Sequence, residues 1–253
     1  AAATPAASEE AFHRVIAAGP AAVVAGLLRA GPRPRRLVYL SSYAACGPAR
    51  GGRARRVDEP PAPLTAYGRT KLAGEAAAHA AEAHGVEVAV VRAPAVYGPG
   101  DRAFLPLFRL AKRALAPAPT GPPRRVHLIF VEDLARAVLR AADAPPGTYA
   151  VAEPVEHLAA EVPREIGRAL GRRVHRLPVP AAAFRAAGAV AERVGPLLGA
   201  KGVFSREKAE EILAEAWVCD LAGSGELLAP HEATPLAEGM RRTAAWYRDQ
   251  GWI

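Results

Sequence analysis

The stretch Ala66-Tyr67-Gly68-Arg69-Thr70-Lys71 decides the interpretation of this sequence, together with Ser41-Ser42 about one strand and one loop upstream. If Tyr67 begins a helix, Lys71 follows four residues later, so both side chains leave the same helix face about one turn apart. An unperturbed tyrosine loses its proton only near pH ~10, and a neighbouring positive charge favours the phenolate. The pair therefore predicts a proton donor and acceptor usable near neutral pH, with the Ser42 hydroxyl holding a reacting oxygen in line with Tyr67.

The Tyr-x-x-x-Lys spacing alone also occurs on solvated helix faces without any function, so the surrounding sequence decides between the two interpretations. Leu37-Val38-Tyr39-Leu40-Ser41-Ser42 is a short apolar run ending in hydroxyls. It predicts a buried parallel strand that delivers Ser42 to its carboxyl end. The proline-rich segment 58–65 breaks the chain before the helix of Tyr67, and residues 86–91 predict a second apolar strand after it.

Four motifs then occur in one order along the chain. They are Ser-Ser before a Gly-Pro turn (41–48), Asp-Glu-Pro…Tyr-x-x-x-Lys-x-x-x-Glu (58–75), Arg-x-Pro-x-Val-Tyr-Gly-Pro-Gly-Asp (92–101) and Phe-Val-Glu-Asp-Leu-Ala-Arg-Ala (130–137). Together they resemble the extended short-chain dehydrogenase/reductases, also called the NAD-dependent epimerase/dehydratase family, from about the first residue to the last.

The resemblance implies an α/β fold: a Rossmann-like, doubly wound parallel sheet, N-terminally truncated, with a smaller C-terminal α/β substrate lobe. It assigns residues 1–101 and 124–152 to the dinucleotide-binding domain. Residues 102–123 and 153–253 would form the substrate lobe.

The same resemblance implies NAD or NADP as cofactor, and the sequence leaves the choice between the two open. Tyr67 would be the general acid or base, Lys71 would lower the pKa of Tyr67 and hold the ribose hydroxyls, and Ser42 would bond the reacting oxygen. Ser42 is preferred to Ser41 because it lies four residues before Cys46, which matches the family's spacing. The implied cofactor contacts are Ser41, Tyr67, Lys71 and the backbone around Pro94, Ala95 and Val96.

The sequence also departs from the family. No Gly-x-x-Gly-x-x-Gly or Gly-x-Gly-x-x-Gly lies between an apolar strand and a helix, although such glycines let the backbone approach the cofactor pyrophosphate. We therefore expect a fragment that binds dinucleotide weakly or not at all, with an unpaired apolar edge on the strands at 37–42 and 86–91. Ile16 replaces an asparagine of the relatives and cannot hydrogen-bond, and Cys46, which replaces a tyrosine, is interpreted as a small packing residue.

Further elements are predicted from apolar spacing, capping residues and breakers. Asp133 should N-cap a helix that runs to Ala142, and the three tryptophans should be packing anchors. The other predictions are a helix from Ser8 to Gly31, a helix around Phe104 to Leu110, a proline-rich connector at 114–123, a return to the sheet at 147–151, helices at 156–170, 181–198 and 233–250, and a strand at 174–179.

Composition limits the function classes. The chain has 253 residues, a net charge of +8 and two cysteines. Its basic residues are scattered and no basic run is interleaved with aromatics, so we predict no nucleic-acid partner. The basic stretch 50–56 is interpreted as a surface loop rather than a phosphate site.

The remaining limits come from the cysteines and from hydropathy. The spacing of the two cysteines indicates neither a disulfide framework nor a metal site. No uncharged apolar run of about 18 residues occurs, so we predict no membrane partner and a cytoplasmic location. A small-molecule substrate is the expected partner, and a homodimer is left open.

Three functions compete. Alcohol/ketone redox on a small hydrophobic substrate needs only Ser42, Tyr67 and Lys71, and the Ala-, Val- and Leu-rich second lobe favours it. Nucleotide-sugar epimerisation would need a diphosphate-binding lobe, and dehydration would need an acid pair where Tyr43-Ala44 stand. The rival from another class is a non-catalytic fragment or scaffold that keeps the fold.

Overall fold

A three-stranded parallel sheet forms the centre of the N-terminal part of the chain. The computed structural model describes residues 16, 18–29, 31–194 and 204–253. Strands β1 (Arg36–Ser42), β2 (Glu87–Ala93) and β7 (Gly147–Ala150) lie in the order β1-β2-β7, and both pairings are parallel. Every residue of β2 after the first is buried. The predicted α/β fold with a parallel, Rossmann-like sheet is therefore confirmed.

Strand β1 is less buried than its apolar sequence predicts. Most of its residues are half-buried, and Leu40 is 41% exposed. The physical reason is its place in the sheet, because β2 is its one partner strand among the described residues. Among the described residues β1 keeps the predicted unpaired edge, whereas the prediction is wrong for β2, which pairs on both sides.

Three of the described helices belong to the N-terminal part of the chain and lie beside this sheet. They are α1 (Ala18–Arg29), α2 (Tyr43–Cys46) and α3 (Ala66–His79). Helix α3 begins after Thr65, whose hydroxyl accepts a hydrogen bond from the Gly68 amide at 3.1 Å. Such an N-cap satisfies one of the amides that the first turn leaves unpaired. The predicted helix start at Ser8 lies outside the described residues.

Six further helices follow in the part of the chain that the structure describes. Among the described residues, none of the helices is long and apolar enough to cross a membrane. The six are α4 (Leu105–Lys112), α5 (Val131–Arg140), α6 (Val162–Ala169), α7 (Ala181–Val194), α8 (Arg206–Leu213) and α9 (Leu236–Asp249), and single 3-10 turns lie at Glu82–His84 and Pro230–Glu232.

The remaining strands form small sheets beside the main one. They are β3 (Ala95–Tyr97) with β6 (Leu128–Phe130), β4 (Leu115–Pro119) with β9 (His175–Val179), and β5 (Arg125–Val126) between β8 (His157–Leu158) and β10 (Ala216–Trp217).

Two predictions for this part of the chain were wrong. The proline-rich segment expected as a connector contains β4, which pairs in parallel with β9. Its prolines are compatible with pairing because a two-stranded sheet leaves one side of each strand without ladder partners. The helix expected from residue 156 begins only at Val162, because β8 comes first.

Asp133 does not cap α5, which is a third correction. The N-cap residue is Phe130. The Asp133 carboxylate is buried and instead accepts hydrogen bonds from the Thr234 amide at 2.6 Å and the Thr234 hydroxyl at 2.9 Å. It therefore anchors the segment before α9 to α5.

An aromatic core joins α4, α9 and the chain end. Phe108 meets Tyr247 edge to ring with centroids 4.9 Å apart, and Trp252 stacks on Tyr247 at 5.5 Å. Trp246 contacts Trp252 at 4.8 Å. The prediction that these two tryptophans are packing anchors is confirmed. The division into a dinucleotide-binding domain and a substrate lobe stays a prediction.

Candidate active site

The carboxyl end of β1 and the first turns of α3 bring the three predicted catalytic residues together. Ser42 ends β1, and its hydroxyl accepts a hydrogen bond from the Ala44 amide at 3.2 Å. The phenol of Tyr67, the second residue of α3, is hydrogen-bonded to the Ser42 side chain. The Lys71 ammonium lies 6.0 Å from the centroid of the Tyr67 ring. Their catalytic roles stay a prediction.

The pKa of Tyr67 moves in the direction opposite to the predicted one. Burial raises the pKa of the phenol, and the hydrogen bond to Ser42 opposes this increase. Desolvation of the phenolate is therefore the larger effect in this structure. At neutral pH the phenol therefore carries its proton.

The Lys71 ammonium can donate further hydrogen bonds beside the Tyr67 phenol. One N–H of the ammonium donates to the Leu40 carbonyl at 2.9 Å, and an ammonium has three donors. The charge also lies 5.5 Å from the centroid of the Tyr39 ring, which favours the charged form. Among the described residues the ammonium has no second hydrogen-bond acceptor, so two donors remain for hydroxyl groups of a bound molecule.

Gly68 allows α3, which carries the Tyr67 phenol, to approach α2, which follows Ser42 directly. A Cβ atom at this position would lie 2.3 Å from the Ala44 carbonyl oxygen of α2. Only glycine lets α3 approach α2 this closely, and α2 follows Ser42 directly. Sequence reasoning missed this role, although Gly68 stands beside Tyr67 in the motif that it singled out.

The residues predicted to contact the cofactor differ in their exposure to solvent. Pro94 is buried, Val96 is half-buried, and Ala95 is exposed at the start of β3. The Ser41 hydroxyl donates a hydrogen bond to the Glu75 carboxylate at 2.5 Å in a buried setting. This bond uses the proton of the Ser41 hydroxyl inside the protein, and the contact of Ser41 with a cofactor stays a prediction.

Sequence reasoning also missed the ionic partner of Glu75. Arg92 forms a buried ion pair with it, and the two side chains are 8% and 6% exposed. The available signal was their position, since Glu75 ends the Tyr-x-x-x-Lys-x-x-x-Glu motif and Arg92 begins the Arg-x-Pro motif.

Cys46 and Ile16, which depart from the family pattern, are both buried. Cys46 is 1% exposed and lies in α2, in agreement with the interpretation as a packing residue. The Ile16 side chain is buried, and its backbone carbonyl accepts a hydrogen bond from the Tyr39 hydroxyl at 3.4 Å.

Two arginines of the basic stretch at 50–56 are paired with neighbouring acidic residues. The Arg53 guanidinium binds Glu59, and Arg56 binds Asp58 at 2.7 and 2.9 Å. These exposed pairs agree with the surface-loop interpretation and give no support to a phosphate site.

The residues present fit a nicotinamide cofactor by their donor chemistry. The Lys71 ammonium has donors for ribose hydroxyls, the Tyr67 phenol lies beside it, and the exposed Ala95 follows the carboxyl end of β2. Open α/β sheets bind ligands outside the carboxyl ends of their strands.

A profile of the NAD dependent epimerase/dehydratase family matches residues 2–152. The chain belongs to this family. Membership confirms the resemblance seen in the motifs and, at the level of the family, the prediction of a nicotinamide cofactor. The profile ends just after β7, so the C-terminal 101 residues lie beyond its match.

Relatives agree with this membership. A ceramide reductase of Caulobacter vibrioides is 29% identical over 247 residues, which cover 96% of this chain and 71% of the relative. The NAD+ complex of the enzyme WbmH of Bordetella bronchiseptica matches with a TM-score of 0.73 and 19% identity, over 99% of this chain and 74% of that one.

A second solved structure is the NAD complex of a UDP-glucuronic acid 4-epimerase from Bacillus cereus. It matches with a TM-score of 0.68 and 14% identity, and the alignment covers 91% of this chain and 66% of that one. At such identities the two structures show the fold alone. The chain spans about two thirds to three quarters of the length of these relatives.

Proposed function

We propose that this protein transfers a hydride between a nicotinamide cofactor, NAD or NADP, and the alcohol or ketone carbon of a small hydrophobic substrate. The observation that carries the proposal is the convergence of Ser42, Tyr67 and Lys71 at the carboxyl end of β1. A hydroxyl, a phenol that carries its proton and an ammonium together provide the groups that carbonyl reduction needs from the protein.

The chemistry divides between cofactor and protein. A bound nicotinamide supplies the hydride that the reduction consumes. Tyr67 gives its proton to the substrate oxygen, and Ser42 holds that oxygen by a hydrogen bond. Lys71 orients ribose hydroxyls through its two remaining donors. In the oxidative direction the same groups act in reverse, and the phenolate form of Tyr67 accepts the proton.

A lipid-like ketone is the substrate class that we propose. The relative at 29% identity is named a ceramide reductase, and ceramides are lipids with an alcohol-bearing backbone. The second lobe also presents large apolar side chains to solvent: Leu177 is 41% exposed, Val190 60% and Val194 39%.

The test offers both substrate classes to the full chain. Purified protein is incubated with millimolar NADH or NADPH, because the lack of a glycine-rich turn predicts weak cofactor binding. One arm contains ketones of ceramide-like lipids, and the other contains UDP-glucose and UDP-glucuronic acid. The readouts are the absorbance of the reduced cofactor at about 340 nm and product identification by mass spectrometry.

Each outcome decides between the hypotheses. Ketone-dependent cofactor oxidation with formation of the alcohol supports the proposal. Interconversion of UDP-sugar epimers without net cofactor consumption would establish the epimerase alternative instead. If neither reaction occurs while calorimetry shows the cofactor bound, the non-catalytic scaffold is favoured.

Two serine variants serve as a matched pair in the same assay. Ser42→Ala removes the hydroxyl proposed to hold the substrate oxygen, and we expect it to abolish most of the activity. Ser224→Ala removes a buried hydroxyl between β10 and α9 that has no hydrogen-bond partner among the described residues. It should leave both the melting temperature and turnover nearly unchanged.

A further inference from the structure

A buried ion pair between Arg92 and Glu75 lies beside the candidate active site. Arg92 on β2 donates two hydrogen bonds to Glu75 on α3, from Nε to Oε1 at 2.9 Å and from Nη2 to Oε2 at 2.7 Å. Ser41 donates to the same carboxylate at 2.5 Å, and Arg92 Nη1 donates to the Val57 carbonyl at 2.9 Å. Buried charges are tolerated when they are paired and hydrogen-bonded in this way.

The pair connects the elements that carry the catalytic groups. Ser41 precedes the catalytic serine at the end of β1, and its partner across the sheet is Arg92. Glu75 follows Lys71 by four residues and Tyr67 by eight, so the three side chains project from one side of α3. One carboxylate therefore links the end of the strand to the helix that bears the phenol and the ammonium.

The carboxylate also acts on the charge of Lys71. Burial lowers the pKa of the Lys71 ammonium, and the negative charge of Glu75 opposes this decrease. Helix α1 packs on α3 and has Arg29 as its one ionisable residue. The other titratable or charged groups around Lys71 and Glu75 are Tyr39 on β1, Tyr67 on α3, Cys46 on α2 and Arg92 on β2.

We propose that Glu75 and Arg92 are positioning residues of this active site: the pair clamps the end of β1 to α3, and the Glu75 carboxylate keeps the Lys71 amine charged. The kinetic consequence rests on the proposed function. The effect on Lys71 does not, because the protonation of this amine is measured without any turnover.

Two single variants separate a charge effect from a packing effect. Glu75→Gln removes the negative charge, so the pKa of Lys71 should fall by about one unit. Arg92→Gln removes the positive charge and leaves the carboxylate, so the pKa of Lys71 should rise. The high-pH limb of kcat/KM should move in the same direction as the Lys71 pKa in each variant. A purely structural role predicts no such difference in sign.

The measurement uses protein labelled with [13C]lysine. The sequence has four lysines, and the 13Cε signal of Lys71 is identified by its loss in Lys71→Arg. Titration of this signal gives the pKa of Lys71 in each variant. Glu87→Gln is the matched control, since Glu87 forms an ion pair with Arg36 at 2.6 Å at the other end of the same two strands.

A double variant covers the case in which a single variant does not fold. Glu75→Leu with Arg92→Met replaces the buried pair by apolar side chains, a change that is often neutral or stabilising. The proposal predicts that this variant folds and that the Lys71 pKa falls, because burial is then unopposed.

The outcomes are distinguishable. Shifts of opposite sign in the two single variants, or a fall in the double variant, support the inference even if no substrate is turned over, in which case only the proposed function fails. An unchanged Lys71 pKa in folded Glu75→Gln or in the double variant overturns it. Shifts of the same size in Glu87→Gln would overturn it as well.

Discussion

Replacing Gly68 by alanine should impair the active site through the backbone contact between α2 and α3. The added Cβ would lie 2.3 Å from the Ala44 carbonyl oxygen, and real Cβ contacts essentially never fall below 3.0 Å. Because the neighbouring atom is backbone, one of the two helices has to move. Helix α2 follows Ser42 and α3 carries Tyr67, so the movement separates the hydroxyl from the phenol.

The magnitude follows from the size of this displacement. Overpacking a rigid contact costs roughly 1–3 kcal/mol of unfolding free energy. A displacement approaching about 1 Å at a catalytic contact reduces the rate by about 100-fold. We therefore expect Gly68→Ala to lower the melting temperature moderately and to lower kcat strongly. Both are measured with purified protein, by thermal unfolding and by substrate-dependent oxidation of NAD(P)H.

Two other glycines are matched controls. Gly167→Ala would place its Cβ 2.8 Å from the Arg172 carbonyl oxygen, which is a comparable backbone clash in α6, a helix that packs on α4 and α9. It should cost similar stability with much less effect on kcat. Gly26→Ala meets no atom within 4 Å and lies in α1, so it should be neutral or slightly stabilising. Wild-type kcat in a folded Gly68→Ala protein would refute the reasoning.

Three further predictions concern stability. Burial lowers the pKa of His127 to about 4, so the unfolded state binds a proton first as the pH falls. The wild type should therefore lose about 3 kcal/mol of unfolding free energy between about pH 6.5 and 4, and His127→Asn should lack this loss. Equal acid sensitivity of both proteins in urea titrations would contradict this. The Glu153 carboxylate raises the pKa of His157 at 3.0 Å, so the pair should contribute about 1 kcal/mol below pH ~6.5 and lose it as the pH rises through the raised pKa; a wild-type advantage over His157→Gln that does not shrink at high pH argues against it. Asp133→Asn weakens the bonds to Thr234 and should cost about 2 kcal/mol, and an unchanged denaturant midpoint would speak against that anchoring role.

The sequence predicts the candidate site well because its signals are local. Tyr67 and Lys71 are one helical turn apart, and an apolar strand that ends in hydroxyls leads directly to Ser42. These relations need no knowledge of distant residues. For the same reason the parallel strands and the terminal helix were predicted close to their observed positions.

The failures all depend on contacts between distant segments. The pairing of β4 with β9 joins segments about 60 residues apart, and the partner of Asp133 lies 101 residues away. The exposure of Leu40 depends on which strands flank β1. The raised pKa of Tyr67 depends on burial, which a helical spacing does not reveal.

The most direct test of the central claim is the turnover of Tyr67→Phe with a ketone substrate and saturating NAD(P)H. The substitution removes one hydroxyl and keeps the ring, so the fold should persist, which thermal unfolding checks. General acid catalysis contributes about 10²–10⁴-fold. The account predicts a loss of kcat in this range, and a rate close to wild type would contradict it.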